Sequence, residues 1–267
     1  MFKAHNQDVF EIMLSFVDFA TFKKRMVSFR REVENDHKKL SDNEGSTTTG
    51  GSEGKSSTMM HIDDEDFATF ERLMAEDVND KSIGWKKVID QKMSAKSNVS
   101  IVMYQRKQPG KSDICRAVTV WKDFNMLKFT ELAMDPTHLK QGNTVFMNSV
   151  EEIDENTKIW HGRSKMPLMT DRETLLKFKR MPRPDGSVLF SCNSVERDDV
   201  PHAKDAIRME MFKMSHATQV GPDMHLTEFS SFDMKGSFPM RLMNMVMGAM
   251  ASKGMTRIYD EFKKSGC

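Results

Sequence analysis

Cysteine is scarce in this 267-residue chain: only Cys115, Cys192 and Cys267, far apart and without a C-x-x-C pair. That excludes a disulfide-built scaffold and a cysteine zinc site, and it favours a reducing compartment. An excess of one charge is also missing, with 40 Lys and Arg against 39 Asp and Glu. No general attraction to nucleic acid or to an anionic membrane follows from that balance, and no nucleic-acid partner is expected. No run reaches the roughly eighteen apolar residues of a membrane span, and the opening residues Met-Phe-Lys-Ala-His-Asn hold no signal-peptide core. Cys267 is the last residue, so the three residues that a prenylation signal places after its cysteine are missing. These absences read as a soluble, cytoplasmic protein. Catalytic signatures are lacking too: there is no G-x-S-x-G elbow, no H-E-x-x-H pair, no P-loop and no G-x-G-x-x-G turn. His161, Cys192 and Asp171 have the residue types of a triad, but no spacing supports one. No enzyme, cofactor or metal site is expected.

What the chain does have is a clear division. Residues 41–58 contain no large apolar side chain, and thirteen of these eighteen are Gly, Ser or Thr. They cannot bury a core and read as a flexible linker with a reach of roughly 20–25 Å. Before the linker, residues 1–40 have a helical pattern, with Phe10, Met13, Leu14 and Val17 at i, i+3, i+4, i+7, then Phe22, Met26 and Phe29. A piece this short seldom holds a core alone.

After the linker, residues 59–265 alternate between strand and helix patterns. Asp63–Asp66 complement a helix start, and Phe67, Phe70 and Met74 mark its buried face. Strands are expected at Ile83–Ile89, Val99–Gln105, Ile114–Lys122, Asn143–Ile153, Lys158–Lys165, Arg172–Arg180, Ser187–Val195, Ala206–Ser215 and His225–Asp233, with a short helix at Asn125–Ala133. The last strand runs into Asp233-Met-Lys-Gly236, and Pro239 opens an apolar helix with Met240, Met243, Met247 and Met250 at helical spacing. Methionine is flexible and polarizable, so such a helix can pack against an irregular apolar object, whether core or ligand. This is an α+β plan with a curled antiparallel sheet whose open side a long helix must cover.

Four motifs stand in order along this domain: Met166-Pro-Leu-Met-Thr-Asp-Arg-Glu173, Asn193-Ser-Val-Glu-Arg-Asp-Asp-Val-Pro201, Ala206-Ile-Arg208 and Asp233 to Pro239. They resemble the P-x-x-x-x-R-D, S-V…P, V-I-R and D-x-K-G-x-x-P segments of the START lipid-transfer family, with Glu173 where the family has Asp. The resemblance covers residues 60–262. It implies a helix-grip fold, a non-enzymatic activity and one lipid (phospholipid, sterol or ceramide-like) held in a tunnel under the C-terminal lid helix. It further implies transient membrane contact, during which the loop Met166–Thr170 and the helix from Met240 separate to admit the lipid. Met240, Met243, Met247, Met166, Leu168 and Arg172 are then the lid and entrance residues.

Family members specific for phosphatidylcholine hold the choline in an aromatic cage and the phosphate on an Arg–Asp pair. By resemblance the cage Trp falls on Trp160 and its other aromatics on Ala133, Thr174 and Phe212. The Arg and Asp fall on Leu139 and Asn143, with Gly142 in place of an intervening Trp; a phosphate there would lack its charge-assisted contact. The Arg of the sterol-binding members falls near Phe178. Asn143, His161 and Thr174 remain as neutral hydrogen-bonding groups for a sterol hydroxyl, a diglyceride or a ceramide-like head. Separately, residues 9–33 resemble the tail of BART domains, which bind Arf-like small GTPases. That keeps open a second reading, an adaptor whose N-terminal helices bind a small GTPase or other protein.

Overall fold

The computed structural model describes residues 64–93, 97–108, 112–139, 144–165, 170–236 and 255–267. The expected N-terminal helices, the linker and the run from Pro239 to Met250 lie outside them. Helix α1 (Asp64–Ala75) leads to strands β1 (Lys86–Gln91), β2 (Val99–Arg106) and β3 (Ile114–Trp121). Helix α2 (Met126–Leu132) and a 3-10 turn (Pro136–Leu139) follow. Then come β4 (Thr144–Asp154), β5 (Thr157–Ser164), β6 (Asp171–Pro182), β7 (Val188–Ser194), β8 (Ala206–Arg208), β9 (Glu210–Val220) and β10 (Asp223–Asp233). Helix α3 spans 255–264.

The strands form one sheet in the order β1-β2-β3-β10-β9-β7-β6-β5-β4, with β8 on β6. All pairs are antiparallel except β6 with β8. Pairing of β3 with β10 joins the first three strands to the last one, so β9 and β10 are central. A sheet this wide twists and curls.

Alternation decides what each face carries. On the inner face α2 and α3 pack over Val99, Trp121, Val188, Ala217, Met224 and Leu226 through Phe124, Met126, Tyr259 and Phe262. The rings interlock, with centroids 4.8 Å apart for Trp121–Phe124 and 4.9 Å for Phe129–Phe262. On the outer face α1 presents Phe70 and Leu73 to Trp85, Ile114, Leu189, Met214 and Phe229. Phe70 meets Phe229 edge to face at 5.7 Å. Burial of each such side chain contributes about 2 kcal/mol.

Two expected strands are corrected. The strand expected from Ile83 begins at Lys86, because Gly84 takes a left-handed φ of +85° and Asp80 folds an Asx turn onto Ser82. The strand expected as Ala206–Ser215 is two: β8 ends at Arg208, the Met209 N–H donates to the Glu173 carbonyl, and β9 starts at Glu210. The short helix is as read, capped by Asn125, whose Oδ1 accepts from the Lys128 N–H at 3.0 Å.

Candidate functional site

Two aromatic clusters lie on the inner face. One is the Trp121–Phe124 group under α2 and α3. The other lies on β5, β6 and β7, where Trp160, Leu176, Phe178 and Cys192 pack with Met134, Met147, Phe190 and Met211. Trp160 is 7% exposed, and its buried indole N–H has no hydrogen-bond partner among the described residues. Such a donor is costly unless something accepts from it. Gly162, one inward position along from Trp160, lets Met147 cross: a Cβ there would lie 2.9 Å from the Met147 sulfur and 3.3 Å from Thr174 Oγ1. Trp160, Thr174 and Phe178 are therefore brought together on one face.

Two other sequence-derived candidates are not on it. His161 follows Trp160 and points outward, its ring 4.9 Å from Phe146 and its Nε2 3.3 Å from Glu173 Oε2. Phe212 packs into the cluster beneath α1, on the opposite face from Trp160. With Phe212 turned outward and Thr174 and Ala133 non-aromatic, Trp160 has no cage around it from those positions. Leu139 ends the 3-10 turn, and its side chain lies outside the described residues, as do Asn143, Met166, Leu168, Met240, Met243 and Met247.

Arg172 does not pair with its neighbour Asp171. Its guanidinium donates to the carbonyls of Met234, at 2.8 Å, and of Thr170 and Lys235. The start of β6 is thereby fastened to the Asp233–Gly236 turn, where Gly236 has φ +70°. Asp171 instead accepts from Arg163, which also holds Asp205.

A second set of charges closes the outer face. Glu173, 1% exposed, accepts from the Ala203 N–H at 3.0 Å and from Arg208 Nε at 3.2 Å. Burial alone would raise the Glu173 pKa; the Ala203 N–H, His161 and Arg208 outweigh it and hold the carboxyl below its ordinary value. Cys192 is across the sheet from this group, and burial pushes its thiol up to about 12, so His161, Asp171 and Cys192 do not assemble. Among the described residues no group of three or more His, Cys, Asp or Glu is placed to hold a metal.

Sequence reasoning missed a charged pair in the middle of the inner face. Lys213 on β9 and Glu228 on β10 form an ion pair at 2.8 Å, and Ser215 Oγ donates to the same carboxylate oxygen at 3.3 Å. The signal was available. Met224, Leu226 and Glu228 share one parity in β10, as Ala217, Ser215 and Lys213 do in β9, so each strand sets a charge on its core side. A depression of about 640 Å³ also lies at the edge of β2, β3 and α3, lined by Asn98, Lys122, Asp123, Tyr259, Asp260, Lys263 and Lys264. It opens to solvent through a charged rim and does not suit an apolar ligand.

No helix of the described residues is long and apolar enough to cross a membrane. No curated protein sequence matches the chain. Solved structures do. Human STARD10 superposes with a TM-score of 0.62 at 18% identity, covering 76% of this chain and 81% of that one. Human StAR-related lipid transfer protein 5 gives 0.58 at 13% identity, over 75% and 94% of the two chains. A STAR-related lipid transfer protein from Xanthomonas axonopodis gives 0.53 at 15%, over 66% and 99%. At these identities the likeness establishes the fold, a curled antiparallel sheet of helix-grip type. The START domain model matches residues 65–265, three quarters of the sequence, and the chain belongs to the START domain family.

Proposed function

We propose that this protein binds one lipid between the inner face of its sheet and its C-terminal segment, and carries it between membranes without covalent chemistry. The observation that carries the reading is the inner face itself: two aromatic clusters line it, and a buried Trp160 N–H has no acceptor among the described residues. Transferring an acyl chain out of water gains about 0.8 kcal/mol per methylene, about 12 kcal/mol for a C16 chain before ordering costs. A lipid therefore leaves a bilayer slowly unless a protein shields it, and shielding is the whole task. The family and the named lipid transfer proteins of like fold support the same reading. Three cysteines that are all unpaired and buried suit a reducing, cytoplasmic setting.

The test is transfer of a fluorescent lipid from donor to acceptor vesicles by the full chain. Transfer should accelerate in proportion to protein concentration; a rate equal to the protein-free control at every concentration would overturn the proposal.

A further inference from the structure

Between its two aromatic clusters the inner face carries small side chains. Cys115 and Ala117 on β3, Ser215 on β9, Ser230 on β10 and Cys192 on β7 are all buried. Glu228 pairs in register with Ala117 and with Ser215, and Ser230 with Cys115 and with Lys213. The Lys213–Glu228 pair stands on this floor. Lys213 keeps 32% of its side-chain surface accessible, against 11% for Glu228, so the lysine end of the pair is not packed into core.

The pair is also incompletely used. An ammonium carries three donors and a carboxylate about four acceptor sites. Among the described residues Glu228 is the only ion-pair partner of Lys213, and the second carboxylate oxygen, Oε1, has no partner. The fold does not need such a pair, because apolar residues of similar size usually replace a buried ion pair without loss. Other charges on this face are spoken for: Arg172 holds carbonyls at one end of β6, and Arg180 holds Asn156 at the other. The thiols of Cys115 and Cys192, each pushed up to about 12 by burial, add no charge.

We propose that Lys213 and Glu228 anchor the lipid's head group and select an uncharged head with both a hydrogen-bond donor and an oxygen acceptor, such as the free hydroxyl and ester of a diacylglycerol. This deepens the lipid-binding proposal and rests on it. A hydroxyl can donate to the open oxygen of Glu228 while the neighbouring ester oxygen accepts from Lys213, and no net charge is buried. A phosphate close enough to Lys213 for contact would lie against the Glu228 carboxylate, with no second cation on the floor to offset it. The positions aligned to a choline cage put no second aromatic beside Trp160, since Phe212 faces away and Ala133 and Thr174 are not aromatic.

The test uses the full chain and phosphatidylcholine vesicles doped with dioleoylglycerol, its 3-acetyl ester or phosphatidic acid. Lipid loaded per protein is measured by mass spectrometry after re-isolation. The wild type should load dioleoylglycerol at least about tenfold over the 3-acetyl ester, which keeps both chains and lacks the hydroxyl, and over phosphatidylcholine. The double variant K213M/E228L should keep loading lipid but lose that preference to within about twofold. Glu228→Gln, which leaves Lys213 unpaired, should gain phosphatidic acid over the wild type. A double variant with undiminished preference, or a Glu228→Gln protein with no gain, would overturn the anchor while leaving lipid binding intact. A wild type that loads nothing from any vesicle would overturn both.

Discussion

Each face of this sheet sets an acid against a base, and the two pairs are treated differently. On the outer face Glu173 and Arg208, 1% and 3% exposed at the side chain, have contacts on every side. Glu173 takes Ala203, Arg208 and His161; Arg208 reaches on to Glu196 and to the carbonyls of Val200 and Pro201. On the inner face Lys213 and Glu228 hold each other, Ser215 donates to the same carboxylate oxygen, and Glu228 Oε1 has no partner among the described residues. A charge buried to hold a fold must be saturated by protein, since each unmet contact costs stability. A charge that protein leaves unsaturated and accessible is open to water or to a ligand. The outer cluster ties β6 to β8 and the 196–203 loop; the inner pair faces the proposed ligand.

The contrast can be broken by mutation, and the effects should differ in size. Glu173→Ala removes one member of the saturated group and leaves the buried Arg208 with only the half-exposed Glu196 as an acid partner. It should cost about 3–5 kcal/mol, read as a lower urea midpoint. The same cluster sets an acid limit. Because the folded-state pKa of Glu173 lies below its ordinary value of 4.5, its contribution is complete above that pH and disappears as pH falls through the folded value. Urea midpoints of the wild type should accordingly exceed those of Glu173→Gln at neutral pH, and the gap should narrow only in acid. A gap unchanged down to pH 3 would contradict this.

Arg172→Met comes next. It deprives three carbonyls of a charged donor and frees the Asp233–Gly236 turn from β6, for about 2–3 kcal/mol, with faster amide exchange at Lys235 and Gly236. The smallest stability effect belongs to K213M/E228L. It should leave the urea midpoint unchanged or slightly higher, although it removes two charges from a central pair of strands. A loss as large as that of Glu173→Ala would make the inner pair a second structural cluster and erase the contrast.

Much of the fold was legible because strands with one face on a core alternate. Val99, Ile101 and Met103 declared their inward parity in sequence and are each 6% exposed or less. What alternation could not show was where a strand breaks without changing parity. Ile207, Met209 and Met211 continue one apolar alternation from β8 into β9, so only the tertiary bond from the Met209 N–H to Glu173 marks the step. The site was less legible. Positions carried over by resemblance ignored parity: Phe212 was aligned to a cage, yet alternation with Lys213 turns it outward. Arg172, read from the resemblance as an entrance residue, instead fastens β6 to the Asp233–Gly236 turn, and its neighbour Asp171 projects from the opposite face of β6. Lys213 and Glu228 were readable as charges on the core side of their strands, but their pairing needs the β9–β10 register, which the hairpin turn at Gly221-Pro222 sets.

The central claim is that the inner face holds a lipid. Native mass spectrometry of the full chain purified from cells, followed by lipid extraction, tests it most directly. The account predicts one bound lipid per chain, drawn from an uncharged, hydroxyl-bearing class. A chain that arrives empty and stays empty after incubation with vesicles would contradict it.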